Sequence, residues 1–438
     1  MKKYLFLTIS AISAYLITSA QAYLPFEQFR KYVKAQTPNR YDSSQKLLTN
    51  RLGAELHYLY PYYQAIGWEE KFKKSLGEKN YYSNFSQQLS FAGDYSMATE
   101  YLIKSFDTLT EKYKSSISDT VNKLKDIQYV PAKNSIISNA PYYKVIMINE
   151  SPAKPVHRAF TYSLLEDLYK EGYRYLAMEA FNNLANKCLD SVNVFTGYYI
   201  CEPIAAELTR KALQIGYTLI SYEDTLALKH TGSQRDSIQA ENIYSVIKKD
   251  SSAKILVHAG YGHISEEKIG DYTPMASWFK KISGIDPFTI DQTGMTEGGE
   301  FEYGRIFYQY FNSRYKISEP SVVFQNKRPF NPLFEKGYDL LVMHPPTVYQ
   351  HNRPNWISLN GDRKPALIQP TEKLLFFVQA YNENEYNAEN INLLVPADQT
   401  YIANREGYYC LYLKKGKYKI ILRDISYKIL STKDFDVE

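Results

Sequence analysis

Five side chains in the middle of this sequence have types and spacing suited to acid–base chemistry: Glu150, His157, Glu179, Arg235 and His263. Carboxylates and imidazoles brought to one cleft can act in two ways. They can hold a divalent metal such as Mn, Fe or Zn through Glu150, Glu179 and His263 and lower the pKa of its bound water, or they can work without metal, with His263 or Glu150 as general base. In either version Arg235 is expected to steady developing negative charge. In "ILVHAGYGHIS" (Ile255 to Ser265) the two histidines separate. His258 keeps the hydrophobic flanks of a strand and reads as structural, whereas His263 lies in a glycine-spaced loop where backbone can approach a ligand closely.

These residues need a scaffold that gathers them, and the pattern supplies one. "YYKVIMINE" (Tyr142 to Glu150), "YRYLAMEA" (Tyr173 to Ala180), "YTLISYED" (Tyr217 to Asp224), "AKILVHAG" (Ala253 to Gly260) and "FTIDQ" (Phe288 to Gln292) read as strands. They alternate with amphipathic helical segments, including "HRAFTYSLLEDLYKEG" and Ser233 to Lys249, and "YDLLVMHPP" (Tyr338 to Pro346) adds a further strand. Alternation of this kind predicts an α/β fold, a parallel sheet with flanking helices, whose ligands sit at the carboxyl ends of the strands. Glu150, Glu179, Glu223, Asp224 and His258 all fall at such ends, His263 just beyond one, and His157 opens the helix after the first. Glu179 sits among apolar neighbours in "YLAMEAF", and a buried carboxylate requires a partner. Ser233 and Asp236 have the spacing of a capping box. Arg235, opposed by the helix dipole in a first turn, is expected to meet Glu150, Glu179 or an anionic substrate group.

The order "NE", "MEA", "QRDSIQAEN" and "GYGHI" resembles the superfamily that joins erythromycin-esterase-like enzymes, Tiki/TraB-type proteases and ChaN-type haem-binding proteins. The resemblance covers Tyr142 to Gln292 and implies Glu150, Glu179, Arg235 and His263 as a shared polar core, with Asn242 in the helix motif. Asn149 replaces the usual glycine and Pro152 the usual histidine of the first motif, leaving His157 as a substitute further on. The superfamily's chemistries imply ester or amide hydrolysis, with or without a metal. The alternative is a non-enzymatic protein that captures haem or another ligand, with Tyr261 and the histidines as the binding groups.

The remaining features bound the reading. G-x-S-x-G, H-E-x-x-H, P-loop and C-x-x-C motifs are all absent, which removes the ordinary serine-hydrolase, zincin, nucleotide and thiol-redox mechanisms. A net charge of +5 over 438 residues, with Lys and Arg scattered, argues against nucleic acid as partner and leaves a small-molecule, peptide or glycan-like substrate. The 42 tyrosines accompany an enrichment in Lys, Asn and Ile, as composition bias produces. "MKK", an apolar run and Ala20-Gln21-Ala22 read as a signal peptide over residues 1–22, so the mature protein is expected to be periplasmic or secreted, with no membrane span. In that compartment Cys188 and Cys201 are candidates to pair, leaving Cys410 alone. The expected organisation is a helical region over 23–127, an α/β core over 128–360 and a small β domain, a sandwich, over 361–438.

Overall fold

The computed structural model describes residues 26–35, 59–299, 302–331, 337–368, 376–402 and 409–438. The expected signal peptide lies outside these. The chain divides into two compact units, one running from Ala98 to Thr347 and the other combining the residues up to Met97 with those from Val348 onward. No helix among the described residues is long and apolar enough to cross a membrane.

The Ala98 to Thr347 unit is built on a nine-stranded sheet. Its strands are β1 (Ile127–Pro131), β2 (Val145–Glu150), β3 (Tyr173–Met178), β4 (Thr218–Ser221), β5 (Lys254–Gly260), β6 (Phe288–Asp291), β7 (Ser321–Gln325), β8 (Arg328–Pro329) and β9 (Leu340–Met343). Their order is β1-β7-β9-β6-β2-β5-β3-β4, with β8 on β7. From β9 to β4 every pairing is parallel, whereas β1, β7 and β8 pair antiparallel. The sheet is therefore mixed and mostly parallel, and the all-parallel expectation is corrected at one edge. β1 is largely half-buried and lacks the continuous apolar run of a central strand.

Period-2 alternation decides which side chains face which helices. The helices are α1 (Glu111–Asn122), α2 (Ala132–Asn139), α3 (Pro155–Lys170), α4 (Pro203–Ile215), α5 (Gly232–Lys249), α6 (Met275–Ser283) and α7 (Glu302–Tyr315). Val145, Met147, Val257 and Ala259 enter one core cluster with Ile243 and Ile247 of α5 and Phe279 of α6. Each of the Val, Met, Ile and Phe side chains among these, once buried, contributes about 1.5–3 kcal/mol of hydrophobic stabilisation. The intervening residues Glu150 and His258 face α3 instead, where they meet Arg158 and Thr161. In the register, Glu150 pairs with Gly260, and His258 with Ile148 and Met178, so β2, β5 and β3 end side by side.

The second unit joins the N-terminal helices Tyr60–Gly67, Glu69–Leu76 and Glu78–Phe91 to the C-terminal strands. Those strands are β10 (Tyr349–Gln350), β11 (Arg353–Pro354), β12 (Lys364–Ile368), β13 (Phe376–Asn382), β14 (Asp398–Ile402), β15 (Tyr409–Leu413), β16 (Gly416–Asp424) and β17 (Ile429–Val437). They form antiparallel sheets: a four-stranded one in the order β14-β13-β16-β17, and the pairs β12-β15 and β10-β11. The linear division at 127 and 360 is not the one the contacts make. Phe29 packs edge-on against Phe377 at 5.5 Å, and buried Arg353 donates to Gly93 O (3.2 Å), Gln399 O (3.0 Å) and Asp398 Oδ2 (2.5 Å), joining both ends of the chain.

Helix α5 carries two site residues in its first turns, and its start is set by Thr231. The Thr231 side chain accepts from Gln234 N, and Gln234 Oε1 accepts from Thr231 N at 2.9 Å, a reciprocal cap two residues before the expected one. Ser233 instead accepts from Thr273 N at 2.9 Å. Thr231→Ala is expected to lower unfolding free energy by about 1 kcal/mol, measured by urea denaturation followed by circular dichroism.

Candidate active site

Two charged clusters meet at the carboxyl edge of the sheet, one from each face. The inner cluster is built on Arg158 of α3, which is fully buried. Its Nε donates to Glu150 Oε2 at 2.6 Å and its Nη2 to Glu150 Oε1 at 2.8 Å, while Nη1 reaches Glu202 Oε2 at 3.1 Å. Glu202 precedes Pro203 and caps α4, accepting from Ile204 N (3.0 Å) and Ala205 N (2.9 Å). His258 adds its Nε2 at 2.9 Å from Glu150 Oε2, without the alignment of a hydrogen bond, and its Nδ1 lies 3.1 Å from Thr161 Oγ1. Burial pushes the Glu150 carboxyl up, but the Arg158 guanidinium and His258 outweigh it and hold it at about 2. For Glu202 burial wins, and its carboxyl stays above the ordinary value.

The outer cluster is built on α5. Arg235 Nε donates to Glu223 Oε1 at 2.9 Å, and Nη2 donates to Glu223 Oε2 and to Glu179 Oε1, the latter at 2.5 Å. The other Glu179 oxygen accepts Gly260 N–H at 2.7 Å. Burial raises the Glu179 carboxyl, and His263, Arg235 and that N–H bring it below the ordinary range. His263 sits between acids: Nδ1 is 2.8 Å from Asp236 Oδ2, and Nε2 is 3.6 Å from Glu179 Oε1 and 3.3 Å from Arg235 Nη1. Burial depresses the imidazole, but Glu179 and Asp236 together lift it above its ordinary value. Asp236 is fully buried and also accepts from Tyr272 OH and Met275 N (2.8 Å), so its carboxylate is fixed by the start of α6.

Backbone geometry lets these groups approach one another. A side chain at Gly260 would place its Cβ 3.1 Å from Glu179 Oε2, in the space of the carboxylate that the Gly260 N–H binds. Tyr261 follows in the left-handed region at φ +37°, which is costly for a residue with a side chain. It is tied at both ends, its carbonyl accepting from Asn149 Nδ2 (2.9 Å) and its hydroxyl lying 2.9 Å from Ser151 Oγ. A cavity of about 180 Å³ opens here, lined by Glu150, Glu179, His258 and His263 with Tyr199, Tyr261 and neighbouring backbone.

The structure brings Glu150, Glu179 and His263 to this one cavity, and it adds His258, which the sequence places in the core. His157 is corrected: it is fully buried and absent from the cavity wall, its Nδ1 accepting from Ser151 N (3.0 Å) and its ring lying 5.3 Å from that of His344. Burial, with His344 and Lys154 nearby, keeps His157 well below the usual histidine range. Arg235 stands behind the cavity wall as a clamp on two carboxylates. Asn242 donates to Tyr222 O at 2.9 Å and fastens α5 to the end of β4. Cys188, Cys201 and Cys410 are all free thiols, so the expected pairing is absent.

Arg158, Glu202 and the positioning role of Asp236 are not apparent from spacing alone. A carboxylate before proline in "CEPIAAE" is the signal for Glu202, and the capping-box reading hid Asp236. Among the described residues no three His, Cys, Asp or Glu side chains are grouped to hold a metal ion. The donor chemistry agrees, since both oxygens of Glu150 face Arg158, and those of Glu179 face Arg235 and Gly260 N. Haem does not fit either, because the cavity is smaller than the roughly 300–1,000 Å³ of pockets for drug-sized ligands, and the Tyr261 hydroxyl is engaged by Ser151.

No family model matches the chain, and no curated protein does. Among solved structures it is similar to that of the type III effector HopBA1, with a TM-score of 0.33 and 11% identity over 51% of this chain and 99% of that one.

Removing Arg158 leaves two buried carboxylates without their cation. Arg158→Met is expected to destabilise the fold by about 3–5 kcal/mol, read from denaturant midpoints. The depressed Glu150 carboxyl gives the parent a pH signature as well. Its stabilisation is complete above the ordinary carboxylate pKa and is lost as pH falls from there toward about 2. The acid limb of the stability curve is therefore expected to flatten in the variant.

Proposed function

We propose that this chain is an exported hydrolase acting on an ester or amide bond, on the superfamily scaffold its motifs resemble, by metal-free acid–base catalysis at His263. The observation that carries this reading is the placement of one imidazole on a cavity wall, with Nδ1 2.8 Å from buried Asp236 and Nε2 directed to Glu179 and Arg235. Asp236 accepts the Nδ1 proton and so fixes the tautomer with its lone pair on Nε2; Arg235 Nη1, 3.3 Å from that nitrogen, must give way to the water for Nε2 to act as base.

In the proposed reaction a water in the cavity gives a proton to His263 Nε2 as its oxygen adds to the substrate carbonyl. The imidazolium that forms is stabilised by Asp236 and Glu179, then returns the proton to the departing alcohol or amine as the C–O or C–N bond breaks. The products are the acid and the released alcohol or amine. Tyr261 lines the cavity, and its hydroxyl, when it accepts from Ser151 Oγ, is the group suited to donate its own proton to the carbonyl oxygen as charge develops. Arg235 has its donors turned onto Glu179, Glu223 and His263, so its part is to position the acids around the base.

The neutral imidazole is the active base, and its acid neighbours raise its pKa. Hydrolysis of 4-methylumbelliferyl esters is therefore expected to rise with pH through an apparent pKa above about 6.5. In Asp236→Asn that pKa should move down, and kcat/KM should fall by about 10²–10⁴-fold. Undiminished hydrolysis in a folded His263→Ala protein would overturn the assignment.

A further inference from the structure

The cavity wall differs in charge from the clusters behind it. Glu150 and Glu179 reach the wall, whereas the guanidiniums that pair with them do not. Arg158 directs its donors to Glu150, Glu202 and Pro152 O, and Arg235 directs its own to Glu179, Glu223 and His263. Arg158 is fully buried, and Arg235, although a quarter of its side chain is exposed, has its donors engaged by Glu179, Glu223 and His263. The neighbouring His230 is likewise turned onto Asp224 at 2.6 Å, and Lys154 onto Glu297 O. What a ligand meets is therefore two carboxylates, two imidazoles of which one is held between acids, and the aromatic side chains of Tyr199 and Tyr261.

Carboxylates beside aromatic rings in a small cavity are the chemistry that receives an organic cation, through charge attraction at short range and cation–π contact. An anionic group would meet the charges of Glu150, Glu179, Glu223 and Asp236 against those of Arg158 and Arg235 alone; the pairing bars direct coordination of a metal but leaves the acids in excess. We propose that the group entering this cavity is a substituted ammonium carried by the substrate, and that this charge determines specificity. The same cation offsets the oxyanion that hydrolysis would create, a role that neither arginine is placed to fill. The inference rests on the hydrolase reading for this second role only; selective binding of an ammonium group follows from the wall itself.

The experiment uses the full chain, an ammonium ligand with its neutral isostere, and an anionic counterpart. Binding is measured by calorimetry for 4-(trimethylammonio)benzamide, its tert-butyl isostere and the corresponding 4-carboxylate. The ammonium compound is expected to bind about tenfold or more tightly than the isostere and the carboxylate most weakly, with the preference shrinking as salt is raised. In Glu179→Gln the preference should narrow; the comparison among ligands on the parent protein decides the matter even where that variant does not fold. Equal affinities, absence of binding by all three, or a preference for the carboxylate would overturn the inference. Hydrolysis of the matching 4-methylumbelliferyl benzoates is read separately. Selective ammonium binding without cleavage would remove the hydrolase reading and leave the cation site standing, whereas cleavage indifferent to charge would do the reverse.

Discussion

The inner half of the carboxyl edge depends on Arg158 being charged, buried and hydrogen-bonded through all three of its nitrogens. A guanidinium in that position is costly to desolvate, and it is tolerated because two carboxylates and a carbonyl take its donors. Those acceptors come from the end of β2, the residue that caps α4 and the turn after β2. One side chain therefore fixes the relative positions of a strand end, the helix that follows it and the start of the next helix. Its pull on Glu150 is also why that carboxylate is a poor proton acceptor. Glu150 contributes a fixed negative charge to the cavity, and proton transfer falls to the histidine on the other side.

The two clusters show how similar components give different properties. Each has an arginine facing two glutamates and a histidine nearby, yet His258 has one ring nitrogen against Glu150 and the other near Thr161. His263 has an acid at Nδ1 and the cavity at Nε2. The difference comes from position along the chain. His258 is still within β5, where register and packing fix it, whereas His263 follows a left-handed residue in a short turn that carries it onto the neighbouring face.

The parallel part of the sheet was legible because strands covered on both faces leave continuous apolar runs, as in Val145 to Ile148 and Ile255 to Val257. The antiparallel edge was not, since β1 and β8 are only half-buried or exposed and carry no continuous apolar run. Glu150, Glu179 and His263 could be picked out because strand ends in such a sheet converge. The supporting groups were hidden for separate reasons. Arg158 looks like an ordinary polar position on a helix until the sheet supplies its partners, and Asp236 fits a local capping pattern that Thr231 and Gln234 in fact fulfil. His157 misled because a histidine opening a helix after a strand end looks available, while its side chain points into the interior against His344. Local spacing carries no information on which of two neighbouring polar residues turns inward.

The division of the chain has a consequence for biosynthesis. The unit from Ala98 to Thr347 is continuous, so all of its strands and both charged clusters have left the ribosome before the last strands of the other unit are made. That other unit draws on both ends of the chain, and Arg353 cannot bridge Gly93 and Asp398 until synthesis is nearly finished. Its N-terminal segment, made first, must wait with the ring faces of Phe29 and Tyr63 that later meet Phe377 and Tyr427 uncovered, which is the condition that invites holding by chaperones.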